Sequence, residues 1–135
     1  MNRLESLALA ISNTNGGFVD PDCLAFKNCN PGLLRSYRPE KKVDDEHYRV
    51  FTSVMGGFKA LLADLNAKCS GQNSKILPTV PLSDLLSLYG FKTAAAVHKV
   101  VLFVRRAIAD ETISAATPIV WFTEETAATS PVEMK

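Results

Sequence analysis

The sequence predicts an all-α domain, and three observations carry that expectation. Four stretches repeat apolar residues at the i, i+3, i+4, i+7 spacing that lines one face of a helix. The 135 residues, 47% hydrophobic and 21% charged, suit one folded domain rather than a disordered segment. Only two short stretches, 47–51 and 118–122, have the character of a small β-element, and no internal repeat is visible.

In chain order, Asn2 and Glu5 form a capping-box pattern, after which Leu4, Leu7, Ala8 and Ile11 share a face. A helix over 2–13 is predicted, closed by Gly16-Gly17. From Phe18 to Glu46 the chain is rich in turn formers, including Asp20-Pro21 and Asn30-Pro31-Gly32, and irregular stretches of that length in a domain are usually functional. His47 to Phe51 reads as a short strand. Thr52 or Ser53 then caps a helix reaching Ala67, with Val54, Phe58, Leu61, Leu62 and Leu65 inward. Gly56 and Gly57 each cost that helix about 1 kcal/mol against alanine, which implies close approach of a neighbouring backbone. Leu82, Leu85, Leu86 and Tyr89 mark a third helix stopped by Gly90. Thr93 caps a fourth, whose stripe of Val97, Val100, Val101, Val104 and Ile108 is wide enough for a central element. Together, Val54, Phe58, Leu61, Leu62, Leu65, Leu86, Val97, Val100, Val101 and Val104 form the predicted core. The expected organisation is a helical domain over 1–112 and a tail over 113–135 that docks on it or extends. Within the tail, Trp121 and Phe122 are expected to cover the core.

A formal charge of +1 gives no global argument for nucleic acid or membrane binding, but its distribution is uneven. Residues 1–108 carry 14 basic and 9 acidic side chains, whereas 109–135 carry 1 and 5. No apolar run approaches the ~18–20 residues needed to cross a bilayer. The opening residues lack the pattern of an export signal, so synthesis in the cytoplasm is expected. Cys23, Cys29 and Cys69 cannot all pair within one chain and form no C-x-x-C motif, which favours free, inert thiols. His47 and His98 lack metal-ligand spacing, so no metal and no cofactor are expected.

The most distinctive segment is Lys27-Asn28-Cys29-Asn30-Pro31-Gly32-Leu33-Leu34-Arg35. It resembles the N-N-P-G-N-L-R signature of small lysozyme-like domains common in bacteriophages and prophages. The surrounding order is similar too: Ala10-Ile11 with Gly17-Phe18 before it, then Tyr48-Arg49-Val50-Phe51 with Gly57, Ala60 and Leu61, then Leu82 to Tyr89 and Val97 to Ile108, across roughly residues 4–110. Leu33 stands where the signature has its second asparagine. The resemblance implies a lysozyme-like helical fold with a long loop after the first helix. It also implies a cleft wall containing Asn30, Pro31, Gly32, Arg35 and Tyr48 that faces sugar or peptide. Turn chemistry alone also accounts for Asn, Pro and Gly at these positions.

Glycosidases of the muramidase and lytic transglycosylase kind need a protonated carboxylic acid at the cleft. By the resemblance that position falls on Asn15 or Gly16, and neither side chain can donate an acidic proton. Asp20 and Asp22 in the next loop are the nearest carboxylates that could substitute. The expectation is therefore a phage- or prophage-type relative without glycosidase activity. Its partner would be cell-wall glycan or another protein of an assembly, and a virion would be one residence. The rival reading takes 82–106 as a DNA-binding helix-turn-helix, with Lys92, His98 and Lys99 on its exposed face and a wing around Ile119. That face is poor in base-reading and phosphate-binding groups, so nucleic acid is the less favoured partner.

Overall fold

The computed structural model describes residues 2–73 and 75–124. Helices dominate it: α1 (Arg3–Thr14), α2 (Leu24–Lys27), α3 (Val54–Cys69), α4 (Leu82–Ser87), α5 (Ala94–Ile108) and a closing 3-10 helix (Ile119–Thr123). Extended pairing among the described residues is limited to isolated antiparallel bridges, Arg35 with Tyr48, Val43 with Arg49, and Pro81 with Pro118.

The helix starts follow the local chemistry read from the sequence. Asn2 accepts from the Glu5 amide at 2.7 Å while the Glu5 carboxylate accepts from the Asn2 amide at 2.9 Å, completing the capping box. Ser53 caps α3 through the Gly56 amide at 3.0 Å, and Thr93 caps α5 through the Ala96 amide at 3.1 Å. Helix α5 ends on Ala109 at φ 62°, a left-handed turn usually given to glycine.

The core forms where α1 packs on α5 and α3 and the 3-10 helix closes against α1 and α3. Leu7, Ala8 and Ile11 of α1 meet Leu61 and Leu65 of α3 and the Val97, Val100, Val101, Val104 face of α5. Each buried leucine-sized side chain contributes about 1.5–3 kcal/mol by leaving water. Ile113, Ile119 and Phe122 belong to the same cluster, so the stretch after α5 is part of the core. Backbone bonds fix it there: the Leu82 and Ser83 amides donate to the Thr117 and Ala115 carbonyls, and the Ile119 amide donates to the Val80 carbonyl. The expected tail thus docks as far as Glu124, and its remainder, 125–135, lies outside the described residues.

Several expectations need correction. Val54 is 39% exposed and is not core, because it occupies the first position of α3, before that helix reaches the neighbouring elements. Phe58 and Leu62 pack against the core from its edge, and Phe58 meets the Phe18 ring at 5.8 Å. The 47–51 stretch forms bridges but no strand, because His47 at φ 68° takes the chain out of the extended region. Around Ile119 there is a 3-10 turn and no β-wing. Helix α2 was not foreseen, since a single turn carries no periodic signal.

Candidate functional site

The Asn-Pro-Gly turn is held rigidly between α1 and α3. Asn30 is fully buried, and its side chain makes three bonds. Its Nδ2 donates to the Leu34 carbonyl at 2.9 Å and the Arg49 carbonyl at 3.0 Å, and its Oδ1 accepts from the Leu34 amide at 3.0 Å. A buried amide used this way ties the turn to the returning 48–51 segment and has nothing left over for a ligand. Pro31 and Gly32 are buried beside it. A Cβ on Gly32 would lie 2.6 Å from Leu61 Cδ1, and one on Gly57 would lie 1.9 Å from the Cys29 carbonyl oxygen. Gly57 is the close approach anticipated for the paired glycines. Gly56 is not, since its Cβ would meet only the capping Ser53 Oγ, at 3.2 Å.

What the rigid turn supports is a cleft of about 1150 Å³ beside it. One wall is the chain leaving the turn, with Arg35 and Arg38; the returning Tyr48 and Arg49 join it. The floor is a face of α3 on which Ala60, Ala63 and Ala67 leave room and Asp64 and Lys68 supply charge. The far wall runs from the end of α4 through Tyr89 and Gly90 to Lys92. Five cationic side chains, Arg35, Arg38, Arg49, Lys68 and Lys92, thus surround one carboxylate, that of Asp64.

That carboxylate is already engaged. Lys68 Nζ donates to Asp64 Oδ2 at 2.5 Å and to the Tyr89 hydroxyl at 3.3 Å, while the Tyr89 hydroxyl itself donates to Asp64 Oδ2. Burial first, and then the facing Asp64 charge, push the Tyr89 phenol well above its usual range, so it stays a donor at every physiological pH. The cluster cross-links α3 to the turn after α4 and cancels the one negative charge of the floor. Arg35 rests 4.2 Å from the Tyr48 ring centre and donates to its hydroxyl at 2.8 Å, which presets the guanidinium at the rim. Arg49 lies 4.4 Å from the Phe51 ring centre. Arg38 faces Glu40 at 3.8 Å across an exposed and weak ion pair.

Of the residues singled out in the sequence, Arg35 and Tyr48 line the cleft, whereas Asn30, Pro31 and Gly32 stand behind it as support. Asn15 caps the end of α1 and donates to the Pro31 carbonyl at 3.0 Å. Gly16 at φ 79° turns the chain, which is a backbone reason for glycine at the position where the resemblance expects an acid. Asp20 and Asp22 are exposed and line no part of the cleft. The Cys23 thiol, bonded to Asp20 Oδ2 at 3.1 Å, and the Asp22 amide hold the Asp20 carboxyl below its ordinary range, opposite to what a general acid needs. The same contact raises the Cys23 thiol, and burial pushes Cys69 up to about 12, so neither favours the thiolate. His47 stacks on Tyr37 at 4.4 Å. Among the described residues no group of His, Cys, Asp and Glu is placed to hold a metal ion, and no helix is long and apolar enough to cross a membrane.

Sequence reading missed Arg38, Arg49, Asp64, Lys68 and Tyr89 as cleft residues. A signal for two of them was present: Ala60, Asp64, Ala67 and Lys68 recur at helical spacing on the face of α3 that flanks Leu61 and Leu65. No protein-family model, curated protein or solved structure matches the chain.

Proposed function

We propose that this protein is a lysozyme-like binding module without glycosidase activity, a phage- or prophage-type component whose basic cleft holds an acidic cell-wall glycan. The observation that carries this reading is the cleft's charge: five cations around a single carboxylate that Lys68 and Tyr89 already occupy. A concave site lined by three guanidinium groups suits a carboxylate-bearing chain, because Arg recognises carboxylates through paired donors. The Tyr48 ring and hydroxyl hold the Arg35 guanidinium at the rim, ready for such a carboxylate. The lysozyme-like assignment rests on the Asn30-Pro31-Gly32 signature and the order of the elements around it. Absence of hydrolysis follows from the amide at Asn15 and from a cleft with one engaged carboxylate, where glycoside hydrolysis ordinarily uses two.

Retention on insoluble cell wall tests the reading. Wild-type protein is expected to be retained, Arg35→Ala and Arg49→Ala to lose most of that retention, and Lys99→Ala, on the exposed face of α5, to behave as wild type. Wall suspensions are expected to stay turbid. Clearing that Asp20→Asn or Asp22→Asn abolishes would overturn the non-catalytic reading. Duplex DNA is expected to bind only at roughly 10⁻⁴ M or weaker at physiological salt. Micromolar, salt-sensitive DNA binding that depends on Lys92 and Lys99 would replace the glycan reading with the helix-turn-helix one. Binding to neither, with capture of another assembly protein through the same arginines, would move the cleft to a protein partner.

A further inference from the structure

A second cavity of about 360 Å³ opens between α4, the 91–94 link and α5, and it shares Ser87 and Lys92 with the basic cleft. Its wall is apolar: Phe91, Val97 and Val101 are nearly buried core residues that form it together with Ala115. Its edge carries Lys92, His98 and the hydroxyls of Ser83 and Ser87, and no acidic side chain lines it. Lys92 is exposed and makes no ion pair among the described residues, and the Ser83 hydroxyl makes no hydrogen bond there. The Ser87 hydroxyl donates to the Asp84 carbonyl at 2.8 Å and keeps its acceptor side free.

We propose that this pocket is a separate binding site for a small monocarboxylate with an apolar body. The chemistry follows from the lining. An apolar wall with a few polar groups at one edge selects a ligand that is apolar at one end and polar at the other. With a lysine and no carboxylate at that edge, the polar end is anionic, since a charge-assisted bond to an ammonium is roughly twice as strong as a neutral one. The size admits a short aliphatic chain or a body of up to about two rings, as an apolar cavity of ~150 Å³ already accommodates benzene. Two sources present this chemistry, a free short-chain acid and the C-terminus of a peptide ending in small apolar residues. The two sites share Lys92 and Ser87 but differ in the rest of their lining: Phe91, Val97 and Val101 line only the pocket, and Arg35, Arg38 and Arg49 only the large cleft.

The experiment is a titration of the whole protein, read by amide NMR shifts and by calorimetry. The probes are hexanoate and its amide hexanamide, and acetyl-alanyl-alanine and its C-terminal amide. Saturable binding of at least one acid is expected, with shifts centred on 91–98 and 115. The matching amide should bind about tenfold more weakly. Binding of hexanoate alone assigns a free acid, binding of the peptide alone assigns a chain terminus, and either supports the site. Lys92→Gln is expected to bring the acid down to the level of its amide. Ala94→Phe, which adds a ring at an exposed position on the pocket's mouth and leaves the core untouched, is expected to remove both. Arg49→Ala should leave this binding unchanged while it weakens retention on cell wall, so failure of one reading is distinguishable from failure of the other. Equal affinity for acid and amide, binding that survives Ala94→Phe, or loss on Arg49→Ala would each overturn the proposal, as would absence of saturable binding by either acid.

Discussion

The Asn-Pro-Gly turn and the basic cleft beside it adjoin along a few residues, yet opposite physics governs them. In the turn every polar atom of Asn30 is consumed internally and Gly32 and Gly57 are in contact with their neighbours, so nothing remains to meet a ligand. In the cleft five cationic side chains line a cavity that holds a single carboxylate. The conspicuous motif is therefore scaffold, and the binding proposed above would rest on the less conspicuous residues that it positions. Substitutions should separate the two, with turn changes costing stability and rim changes costing binding.

The largest effect is expected for Gly57→Ala. Its Cβ would collide with the Cys29 carbonyl at 1.9 Å, and a clash with backbone cannot be relieved by turning a side chain. Denaturant unfolding should show a loss at or above the usual overpacking range of about 1–3 kcal/mol. The neighbouring Gly56→Ala is the control, with a change under about 1 kcal/mol. A small effect at Gly57 would mean the turn and α3 are not locked together.

Asn30→Ala comes next. It strips the partner from the Leu34 amide and from the Arg49 carbonyl around a fully buried site, while the Leu34 carbonyl keeps the Arg49 amide, and unpaired buried groups cost about 1–3 kcal/mol each, partly relieved if water enters. The turn should also move the Arg49 segment, so this variant loses binding together with stability. A variant that keeps full stability would show that Asn30 does not hold the two segments together.

Acid should loosen the cleft's outer wall before it unfolds the core. Asp44 Oδ2 accepts from Asn28 Nδ2 at 3.0 Å, and its Oδ1 accepts from the amides of Glu46 at 2.9 Å and Tyr48 at 3.0 Å. The Asn28 bond above all, then these backbone bonds, hold its pKa below the ordinary 3.8. A depressed folded-state pKa means that the stabilisation is present above about 3.8 and is lost as the pH falls through the lower folded value. Amide exchange at 44–49 should accelerate in that window ahead of exchange in α5. Asp20 and Asp110 are also depressed, so Asp44→Asn is the variant that isolates the wall, and its 44–49 exchange should be insensitive to this pH change.

Leu33 gives a smaller effect of the opposite sign. It sits at φ 49°, where a leucine is strained and an asparagine is tolerated, which supplies a backbone reason for the asparagine of the signature it departs from. Leu33→Asn should raise stability by about 0.5–1 kcal/mol in thermal melts. The smallest stability change belongs to Arg38→Ala, whose exposed ion pair with Glu40 is worth about 0–1 kcal/mol, while retention on cell wall should still drop.

Much of the helical frame was legible in the sequence because its causes are local. Asn2 with Glu5, Ser53 and Thr93 announce helix starts through their own side chains, and the valine stripe of α5 announces its buried face. The left-handed turn at Gly16 is equally local. The site was less legible. Arg35 and Tyr48 could be named from their segment, but Arg49, Asp64, Lys68 and Tyr89 come from three separate parts of the chain. Nothing short of their packing reveals that Tyr89 reaches an aspartate 25 residues earlier. The sequence by itself determined α1, α3, α4 and α5, the caps of α1, α3 and α5 and most of the apolar faces, since these depend on spacing along a few turns of chain. Tertiary structure alone decided that the Asn-Pro-Gly motif faces inward, that Ile113 and Ile119 join the core beside Phe122, and that scattered cations converge on one cleft. Those outcomes depend on distances between segments remote in sequence, which no local pattern encodes.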